Sequence, residues 1–347
     1  MTDLSDPSWR VSLNDGVVIP ACPLTLQQDG QWSERYQRAL ARYYVDAGAG
    51  GLAVGVHTTQ FAIRSAKHGL YEPVLRAVCQ ELNRRAAESF VRVAGVCGRS
   101  EQAEKEAALA AEMGYHAALL SLADWKHDDE SQLLDHCMRI ADVMPVIGFY
   151  LQPAVGGRVL SYHFWRQLAE VERVVAIKIA AFDRYRTLDV IRAVIDSGRS
   201  NIALYTGNDD NIIADLLTPF GDAERPRWIV GGLLGQWAVG TRQAVRTLQS
   251  IKKLRVSMHS ELSWLRRNAE LTEVNAALFD AAHEFAGCVP GINEALRLDG
   301  LCPSARCLDS REVLSPGQQA DIERVRAAYP DYWDGEFIRA NRATWFD

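Results

Sequence analysis

Lys178 is the residue whose setting in the sequence most directly suggests chemistry. It stands in the apolar, β-branched segment Val174–Ile179, and only six of the 38 basic residues of the chain are lysine. Such a segment predicts a buried strand. Burial lowers the pKa of a lysine, and a neutral amine can attack a carbonyl carbon to form a Schiff base. The alternative is a lysine near a strand end that pairs with a carboxylate such as Asp183.

Other polar residues follow predicted strands, where barrel enzymes place their catalytic groups. They are His57, Thr58, Thr59, Tyr150, Asp209 and Asp210. A lysine nucleophile, a tyrosine that moves a proton and a threonine that positions the tyrosine or binds a carboxylate would form one coherent set. For the two aspartates, capping of the following helix is the alternative. His57 is either an ordinary polar loop residue or an imidazole that takes part in proton transfer.

The elements that must position these residues follow a regular rhythm. Eight short apolar segments alternate with amphipathic helical stretches, which predicts a (β/α)8 TIM barrel, with an open doubly wound sheet as the competing arrangement. No glycine-rich phosphate loop follows any segment, which disfavours a nucleotide-binding sheet. The predicted strands are Val17–Cys22, Gly51–Val56, Val91–Val96, Ala117–Leu122, Val146–Tyr150, Val174–Ile179, Ile202–Tyr205 and Trp228–Gly231.

The pattern becomes entirely helical after the eighth predicted strand. This tail is too long to be only the last helix of a barrel. We therefore predict a barrel catalytic domain over residues 1–240 and a C-terminal helical subdomain over residues 241–347.

Composition narrows the class of protein. The net charge of −6 and the pI near 5.8 argue against nucleic acid or an anionic membrane as a partner. The seven cysteines are scattered without a CxxC pair, which favours reduced thiols over a disulfide framework or a zinc site. The sequence shows no signal-peptide pattern and no apolar segment of membrane-spanning length. We therefore expect a cytoplasmic protein.

Taken together, the motifs resemble those of the dihydrodipicolinate synthase and N-acetylneuraminate lyase family of pyruvate-type class I aldolases. The most specific feature is a YxxP motif at Tyr150 that is followed 28 residues later by the strand lysine Lys178. Four further segments resemble the family's N-terminal strand, its GTTGE loop, its (S/T)GxD motif and its GxISG motif. They are Val18–Thr25, Val54–Phe61, Thr206–Asp209 and Gly231-Gly232.

The resemblance implies a (β/α)8 barrel that forms a Schiff base with a 2-keto acid and uses neither a metal nor another cofactor. It implies Lys178 as the imine-forming residue, Tyr150 as the proton relay and Thr58 as a contact to the substrate carboxylate. His57 replaces the first threonine of the carboxylate loop and is a candidate for the relay. The candidates for further substrate contacts are Thr59, Gly207, Asp209, Asp210 and Gly231. We also expect a homo-oligomer, either a dimer or a tetramer.

Departures from the family pattern limit the predicted activity. Val155 stands where dihydrodipicolinate synthases carry the arginine that binds the carboxylate of the aldehyde substrate, and a valine cannot form that bidentate pair. Asp124-Trp125 stands where synthases have the tyrosine that crosses the subunit interface. We therefore predict a class I lyase, either an aldolase or a dehydratase, for a 2-keto acid or a 2-keto-3-deoxy sugar acid. The alternative is a barrel that binds a keto acid without turnover, as a sensor or partner subunit.

Overall fold

The strands of this computed structural model, which describes residues 6–347, form a single parallel sheet. They are β1 (Val18–Pro20), β2 (Gly51–Val54), β3 (Val91–Val96), β4 (Ala117–Leu120), β5 (Val146–Leu151), β6 (Val174–Ala180), β7 (Ala203–Thr206) and β8 (Ile229–Leu234). Their order in the sheet is β1-β8-β7-β6-β5-β4-β3-β2. Between β2 and β1, Ala21 and Ala53 form a parallel bridge and the Cys22 N–H donates to the Ala53 carbonyl at 2.8 Å. The predicted (β/α)8 barrel is therefore confirmed.

Helices cover the outside of the barrel and continue beyond it. They are α1 (Ser8–Asp15), α2 (Glu34–Asp46), α3 (Tyr71–Arg85), α4 (Ser100–Glu112), α5 (Glu130–Val143), α6 (Tyr162–Leu168), α7 (Arg184–Asp196), α8 (Ile212–Leu217), α9 (Thr241–Ser257), α10 (Ser263–Leu278), α11 (Cys288–Leu298), α12 (Gln318–Ala328) and α13 (Gly335–Phe346). Helix α9 follows β8 and packs against β1 and α8, so it lies where a barrel has its eighth helix. Helices α10 to α13 form the C-terminal extension. The predicted domain boundary after residue 240 stays a prediction.

The strands form where the sequence is β-branched and apolar because helices cover the sheet on its outer face and its inner face closes on itself. Side chains of alternate residues therefore enter two separate apolar layers. In β5, Ile147, Phe149 and Leu151 lie in the interior of the barrel, whereas Tyr150 lies in the layer between strands and helices. In β6, Ile177 and Ile179 enter the outer layer, which leaves Lys178 on the inner face.

Helix α1 closes the N-terminal end of the barrel, and the sequence analysis did not predict it. The hydroxyl of Tyr205 on β7 donates to the Leu13 carbonyl at 2.8 Å and accepts from the Val17 N–H at 3.2 Å. Trp9 stacks on His116, with ring centroids 5.0 Å apart. This end is packed, so the chemistry of the barrel must lie at the opposite, C-terminal end of the strands.

Within residues 6–347, none of the helices combines the length and the apolar character that a membrane crossing requires. The predicted dimer or tetramer and the predicted cytoplasmic location stay predictions.

Candidate active site

A cavity opens at the C-terminal ends of the strands. Part of its lining is polar: His57, Thr58, Gln152, Lys178, Asp209 and Cys288. Most of the rest is apolar, and four phenylalanines contribute: Phe149, Phe182, Phe279 and Phe285. The barrel strands supply the floor, and α11 with the segment before it covers the opening. Active sites of (β/α)8 barrels lie at this end of the strands.

Lys178 extends from the inner face of β6 into this cavity. Its side chain is partly exposed to the cavity and is otherwise enclosed by protein. Burial lowers the pKa of the Lys178 amine, and the nearby acidic groups of Asp209 and Cys288 oppose that shift. A larger share of the amine is therefore neutral near pH 7 than in an exposed lysine. The environment of Lys178 therefore suits an amine that acts as a nucleophile.

Gly207 provides the space that Lys178 occupies. A Cβ atom at position 207 would lie 2.5 Å from Lys178 Cε and 2.9 Å from the Cβ of Ala180. The Gly207 N–H donates to the Ile179 carbonyl at 2.6 Å, which holds the residue against β6. The predicted Gly207 therefore lies in the lining of the cavity and is required sterically, beside the lysine.

Tyr150, the predicted proton relay, is not brought to the cavity. Its ring stacks on Trp165 of α6 with centroids 5.1 Å apart, and its hydroxyl accepts from the Leu160 N–H at 3.3 Å. Phe149 faces the lysine instead, with the Lys178 amine 4.4 Å from its ring centroid. Placement of Tyr150 in the outer layer argues against the relay role that its motif suggested.

The cause is a one-residue register shift between β5 and β6. Val146 pairs with Val174, but Ile147 pairs with Ala176, so Val175 has no partner on β5. Without this bulge, the 28-residue spacing would place Tyr150 opposite Lys178. With it, Phe149 is the residue paired with Lys178. A slip of one residue exchanges the two faces of a strand, and a bulge produces such a slip locally.

The turn after β2 contains three predicted site residues, and two of them line the cavity. His57 lies beside Lys178, and burial together with the lysine charge lowers the pKa of its imidazole to about 4. The Thr58 hydroxyl donates to the Ala21 carbonyl at 2.9 Å. Thr59 lies beneath, where its hydroxyl donates to the Cys22 carbonyl at 2.7 Å and accepts from the Gly55 N–H at 2.9 Å. Thr59 therefore braces the turn and does not line the cavity.

Asp209 and Asp210 follow β7 but differ in environment. Asp209 lines the cavity, and its Oδ1 atom is buried without a hydrogen-bond partner among the described residues. Burial raises the pKa of the Asp209 carboxyl, and the charge of Lys178 opposes that shift. Asp210 is exposed and does not line the cavity. Of the two predicted contacts, only Asp209 is placed to meet a ligand beside Lys178.

A buried hydrogen-bond network holds the loop that presents Asp209. The carboxylate of Asp215 on α8 accepts from the hydroxyl of Thr206 at 2.7 Å and from the side-chain amides of Asn208 and Asn211, both at 3.0 Å. The side-chain oxygen of Asn208 in turn accepts from the Phe182 N–H at 2.9 Å. This network connects the ends of β6 and β7 and fixes the loop between Lys178 and Asp209.

Gly231, the remaining predicted contact, lies away from the cavity. A Cβ atom there would meet the Val17 backbone at 2.5 Å and the Tyr205 ring at 2.9 Å, so this glycine permits close packing near β1. Sequence reasoning also missed Gln152, Phe279, Phe285 and Cys288. Gln152 belongs to the YxxP motif and could have been singled out there. The other three belong to the C-terminal extension, and no motif connects them to the barrel.

Residues 6–347 contain no group of three His, Cys, Asp or Glu side chains arranged to hold a metal ion. Burial and the charge of Asp209 raise the pKa of the Cys288 thiol, so this cysteine is neutral beside the lysine. The reactive groups of the cavity are therefore an amine, a carboxyl group and a neutral imidazole.

The fold and the site define a (β/α)8 barrel with a buried lysine at its C-terminal opening. The sequence profile of the dihydrodipicolinate synthetase family matches residues 15–221, and the chain belongs to this family. The 4-hydroxy-tetrahydrodipicolinate synthase of Moorella thermoacetica is 25% identical over 197 residues, and that of Exiguobacterium sp. is 26% identical over 198 residues. Each match spans 56% of this chain and 64% of the relative.

Solved structures share the fold over most of the chain. YagE from E. coli K12, in complex with pyruvate, has a TM-score of 0.72 and 18% identity, with 90% of this chain and 97% of YagE covered. N-acetylneuraminate lyase from Fusobacterium nucleatum, also complexed with pyruvate, has a TM-score of 0.71 and 17% identity. That match covers 92% of this chain and 99% of the lyase. At these identities the similarity establishes the fold.

Proposed function

We propose that this protein is a class I lyase, an aldolase or a dehydratase, that acts on a 2-keto acid through an imine on Lys178. The observation that carries the proposal is the placement of the Lys178 amine, with its lowered pKa, in the cavity at the C-terminal end of the barrel. The pyruvate in the solved complexes of its structural relatives supports a 2-keto acid as ligand.

The proposed chemistry begins with the neutral amine. Its nitrogen attacks the keto carbon and a C–N bond forms. The carbonyl oxygen then leaves as water, with one proton taken up from the Asp209 carboxyl group, to give a protonated imine. The imine withdraws electrons, so the adjacent carbon can lose a proton or break a bond to its neighbour. The resulting enamine is shared by aldolases and dehydratases, which diverge only in the group that leaves or adds next. Water finally hydrolyses the imine and frees Lys178.

The turn His57–Thr59 is the proposed binding site of the substrate carboxylate. The hydroxyl of Thr58 is engaged by the carbonyl of Ala21, so it positions the turn. The Thr59 N–H already donates to the Val56 carbonyl at 2.9 Å. The N–H groups of His57 and Thr58, at the beginning of the turn, are therefore the ones proposed to bind the anion. The side chain of Gln152 also lines the cavity and can donate through its amide.

Asp209 is the proposed acid–base residue in place of Tyr150. Its Oδ1 atom is buried at the cavity without a partner among the described residues, and its pKa is raised by burial. A carboxyl group whose pKa is raised in this way can hold and release a proton near neutral pH. His57 remains neutral there because its pKa is lowered to about 4. We propose that His57 donates or accepts a hydrogen bond to the substrate and does not change its charge.

Val155 supports an activity other than dihydrodipicolinate synthesis. It lines the cavity at the turn after β5, so the position of the missing arginine faces the ligand. Arg158 does not replace that arginine, because its guanidinium donates to the carbonyls of Trp125 and Asp128 at 2.8 and 2.6 Å.

A non-catalytic barrel that binds a keto acid remains the second candidate. The observation in its favour is that no tyrosine hydroxyl from residues 6–347 lines the cavity. Such a barrel could still form an imine, so trapping alone does not separate the two functions. Multiple turnovers with a panel of 4-hydroxy-2-keto acids do separate them.

The test of the imine is reduction by borohydride in the presence of pyruvate. One three-carbon unit should be added per chain, and peptide mass analysis should locate it on Lys178. Lys178→Arg should abolish the label because a guanidinium stays protonated. Lys126→Arg is the matched control, since Lys126 is exposed and lies outside the cavity. A label that persists in Lys178→Arg would overturn the assignment.

A further inference from the structure

The side chains that line the cavity around Lys178 indicate the chemical class of the second substrate. Building on the proposed function, we propose that the enamine formed from pyruvate reacts with an aromatic aldehyde. In the cleavage direction, the substrate is then a 4-aryl-4-hydroxy-2-keto acid. This class is neither a semialdehyde with a second carboxylate nor a sugar.

Charge in the cavity argues against an acidic partner. Among the described residues, Lys178 and Asp209 are the two charged side chains of its lining. Lys178 is consumed by the imine, and Asp209, with or without its proton, offers no positive charge to a second carboxylate. No arginine of residues 6–347 lines the cavity, so an anionic aldehyde would enter without the bidentate pair that usually recognises it.

The remaining polar groups are also too few for a sugar chain. If the carboxylate occupies the turn at His57–Thr59, Gln152 and Asp209 are left to meet several hydroxyl groups. A buried hydroxyl without a partner is costly. The lining also contains the apolar side chains of Leu151, Val155, Phe182 and Phe285. An apolar ring can pack against these side chains, whereas a polyol would leave hydroxyl groups without hydrogen-bond partners.

Two of these apolar residues, Phe182 and Phe285, have disfavoured backbone conformations. Phe182 has φ 51° and Phe285 has φ 68°, in the region that residues other than glycine rarely adopt. Their rings meet edge to face at 5.6 Å over the cavity. Such conformations persist where the surroundings fix them, often at ligand clamps.

The surroundings do fix them in this protein. The Phe182 N–H donates to the Asn208 side chain at 2.9 Å. The Phe285 N–H donates to the Asp280 carbonyl at 3.0 Å, and the Asp280 carboxylate accepts from the Gly287 N–H at 2.9 Å. The aromatic pair is therefore preorganised before any ligand enters. A third ring placed between Phe182, Phe285 and the enamine carbon would continue the same packing.

The reaction is balanced without another reactant. The protonated imine of pyruvate loses a proton from C3 to the Asp209 carboxylate, and the enamine carbon then forms a C–C bond to the aldehyde carbon. The aldehyde oxygen accepts a proton, which Asp209 can supply, and water hydrolyses the imine to release the 4-hydroxy-2-keto acid. Loss of that hydroxyl as water would give the unsaturated acid by the dehydratase branch.

The experiment compares three aldehydes with pyruvate in excess: benzaldehyde, D-glyceraldehyde and aspartate semialdehyde. Benzaldehyde should exceed both others in kcat/KM by about 10-fold or more, the scale that a few buried apolar groups supply. Phe285→Ala should reduce the ratio for benzaldehyde over glyceraldehyde by about 10-fold, because the aromatic contact and part of its buried area are lost. Phe346→Ala, a phenylalanine of α13 outside the cavity, should leave that ratio unchanged.

Trapping of pyruvate by borohydride is measured in every variant, so loss of the folded site is distinguished from loss of selectivity. If wild-type protein traps no pyruvate, the proposed function fails and the aldehyde assignment falls with it. If pyruvate is trapped but a polar aldehyde reacts as fast as benzaldehyde, or no aldehyde reacts, only the aromatic assignment is overturned.

Discussion

Phe149 lies beside Lys178 on the neighbouring strand, with the lysine amine 4.4 Å from the centroid of its ring. The ring contacts the amine where the YxxP motif would have placed the hydroxyl of Tyr150. A phenylalanine can pack against an ammonium group but cannot transfer a proton. The proton transfer that we propose therefore requires another side chain, and Asp209 is the carboxyl group that lines the cavity.

Tyr150→Phe provides the first prediction. The hydroxyl lies in the outer layer, so turnover should stay within about 2-fold of wild type, whereas loss of a true acid–base group costs about 10²-fold or more. The free energy of unfolding should fall by about 1 kcal/mol because the hydrogen bond from the Leu160 N–H is lost. Steady-state kinetics and urea denaturation measure the two effects. A fall in turnover without a fall in stability would restore Tyr150 as the relay.

Asp209→Asn should move two measurements in opposite directions. The charge of Asp209 raises the pKa of Lys178, so its removal should lower that pKa. The neutral amine increases as pH rises through this pKa, so the rate of borohydride trapping should rise at a lower pH than in wild type. Turnover should nevertheless fall by about 10²-fold, because the acid–base group is gone. A merely structural aspartate would lower both rates without shifting the trapping profile.

His57→Asn is the control for that experiment. An imidazole relay with an ordinary pKa would titrate near about pH 6.5, but burial and the charge of Lys178 lower the His57 pKa to about 4. Removal of His57 should therefore leave the shape of the turnover profile unchanged between about pH 6 and 8. A limb that belongs to the Asp209 carboxyl, above the ordinary carboxyl pKa of about 4, should disappear in Asp209→Asn and persist in His57→Asn. The limb of the Lys178 amine should remain in both variants. Loss of a limb near pH 6.5 in His57→Asn would contradict this assignment.

Gly207→Ala tests the space beside the lysine. The added methyl group would lie 2.5 Å from Lys178 Cε, so the amine must move. Displacement of a reacting group by about 1 Å can cost about 10²-fold in rate, and we expect that loss in trapping of pyruvate. Gly335→Ala on α13, where the nearest contact is an ordinary 3.4 Å, should trap pyruvate at the wild-type rate. Equal rates in the two variants would show that Lys178 adjusts freely.

The strands and the lysine were predictable because both depend on local sequence. Segments such as Val174–Ala180 are apolar on both faces, as a covered parallel strand requires, so their bounds agree with the prediction to within a few residues. A single lysine in such a segment is conspicuous without any structural information. The hydrogen bonds of the Asp215 carboxylate are also local, since their donors lie within ten residues along the chain.

The face of β5 on which Tyr150 lies was not predictable from its sequence distance to Lys178. A one-residue bulge at Val175 leaves the sequence distance between Tyr150 and Lys178 unchanged but reverses which residue of β5 meets the lysine. Likewise, Phe279 and Phe285 reach the cavity only because the C-terminal extension packs over the barrel opening. Contacts between segments that are so distant in sequence depend on the whole fold.

Val155→Arg tests our proposal that this position separates the activity of this chain from dihydrodipicolinate synthesis. Wild-type protein should condense pyruvate with aspartate semialdehyde negligibly. Val155 is half-buried on the turn Pro153–Val155 at the edge of the cavity, so an arginine there can extend toward the ligand without displacing the core. The new guanidinium should raise kcat/KM for aspartate semialdehyde relative to benzaldehyde by about 10-fold or more.

Val155→Leu is the matched variant, since it changes the volume at the same position without adding a charge. Its preference between the two aldehydes should remain that of wild type, and trapping of pyruvate should confirm that both variants keep an intact lysine site. If wild-type protein already converts aspartate semialdehyde efficiently, the carboxylate must find another cation. Arg158 is an unsuitable one as it stands, because the Trp125 and Asp128 carbonyls hold its guanidinium. Efficient wild-type conversion would therefore require a rearrangement of that loop, and Arg158→Gln should then abolish it.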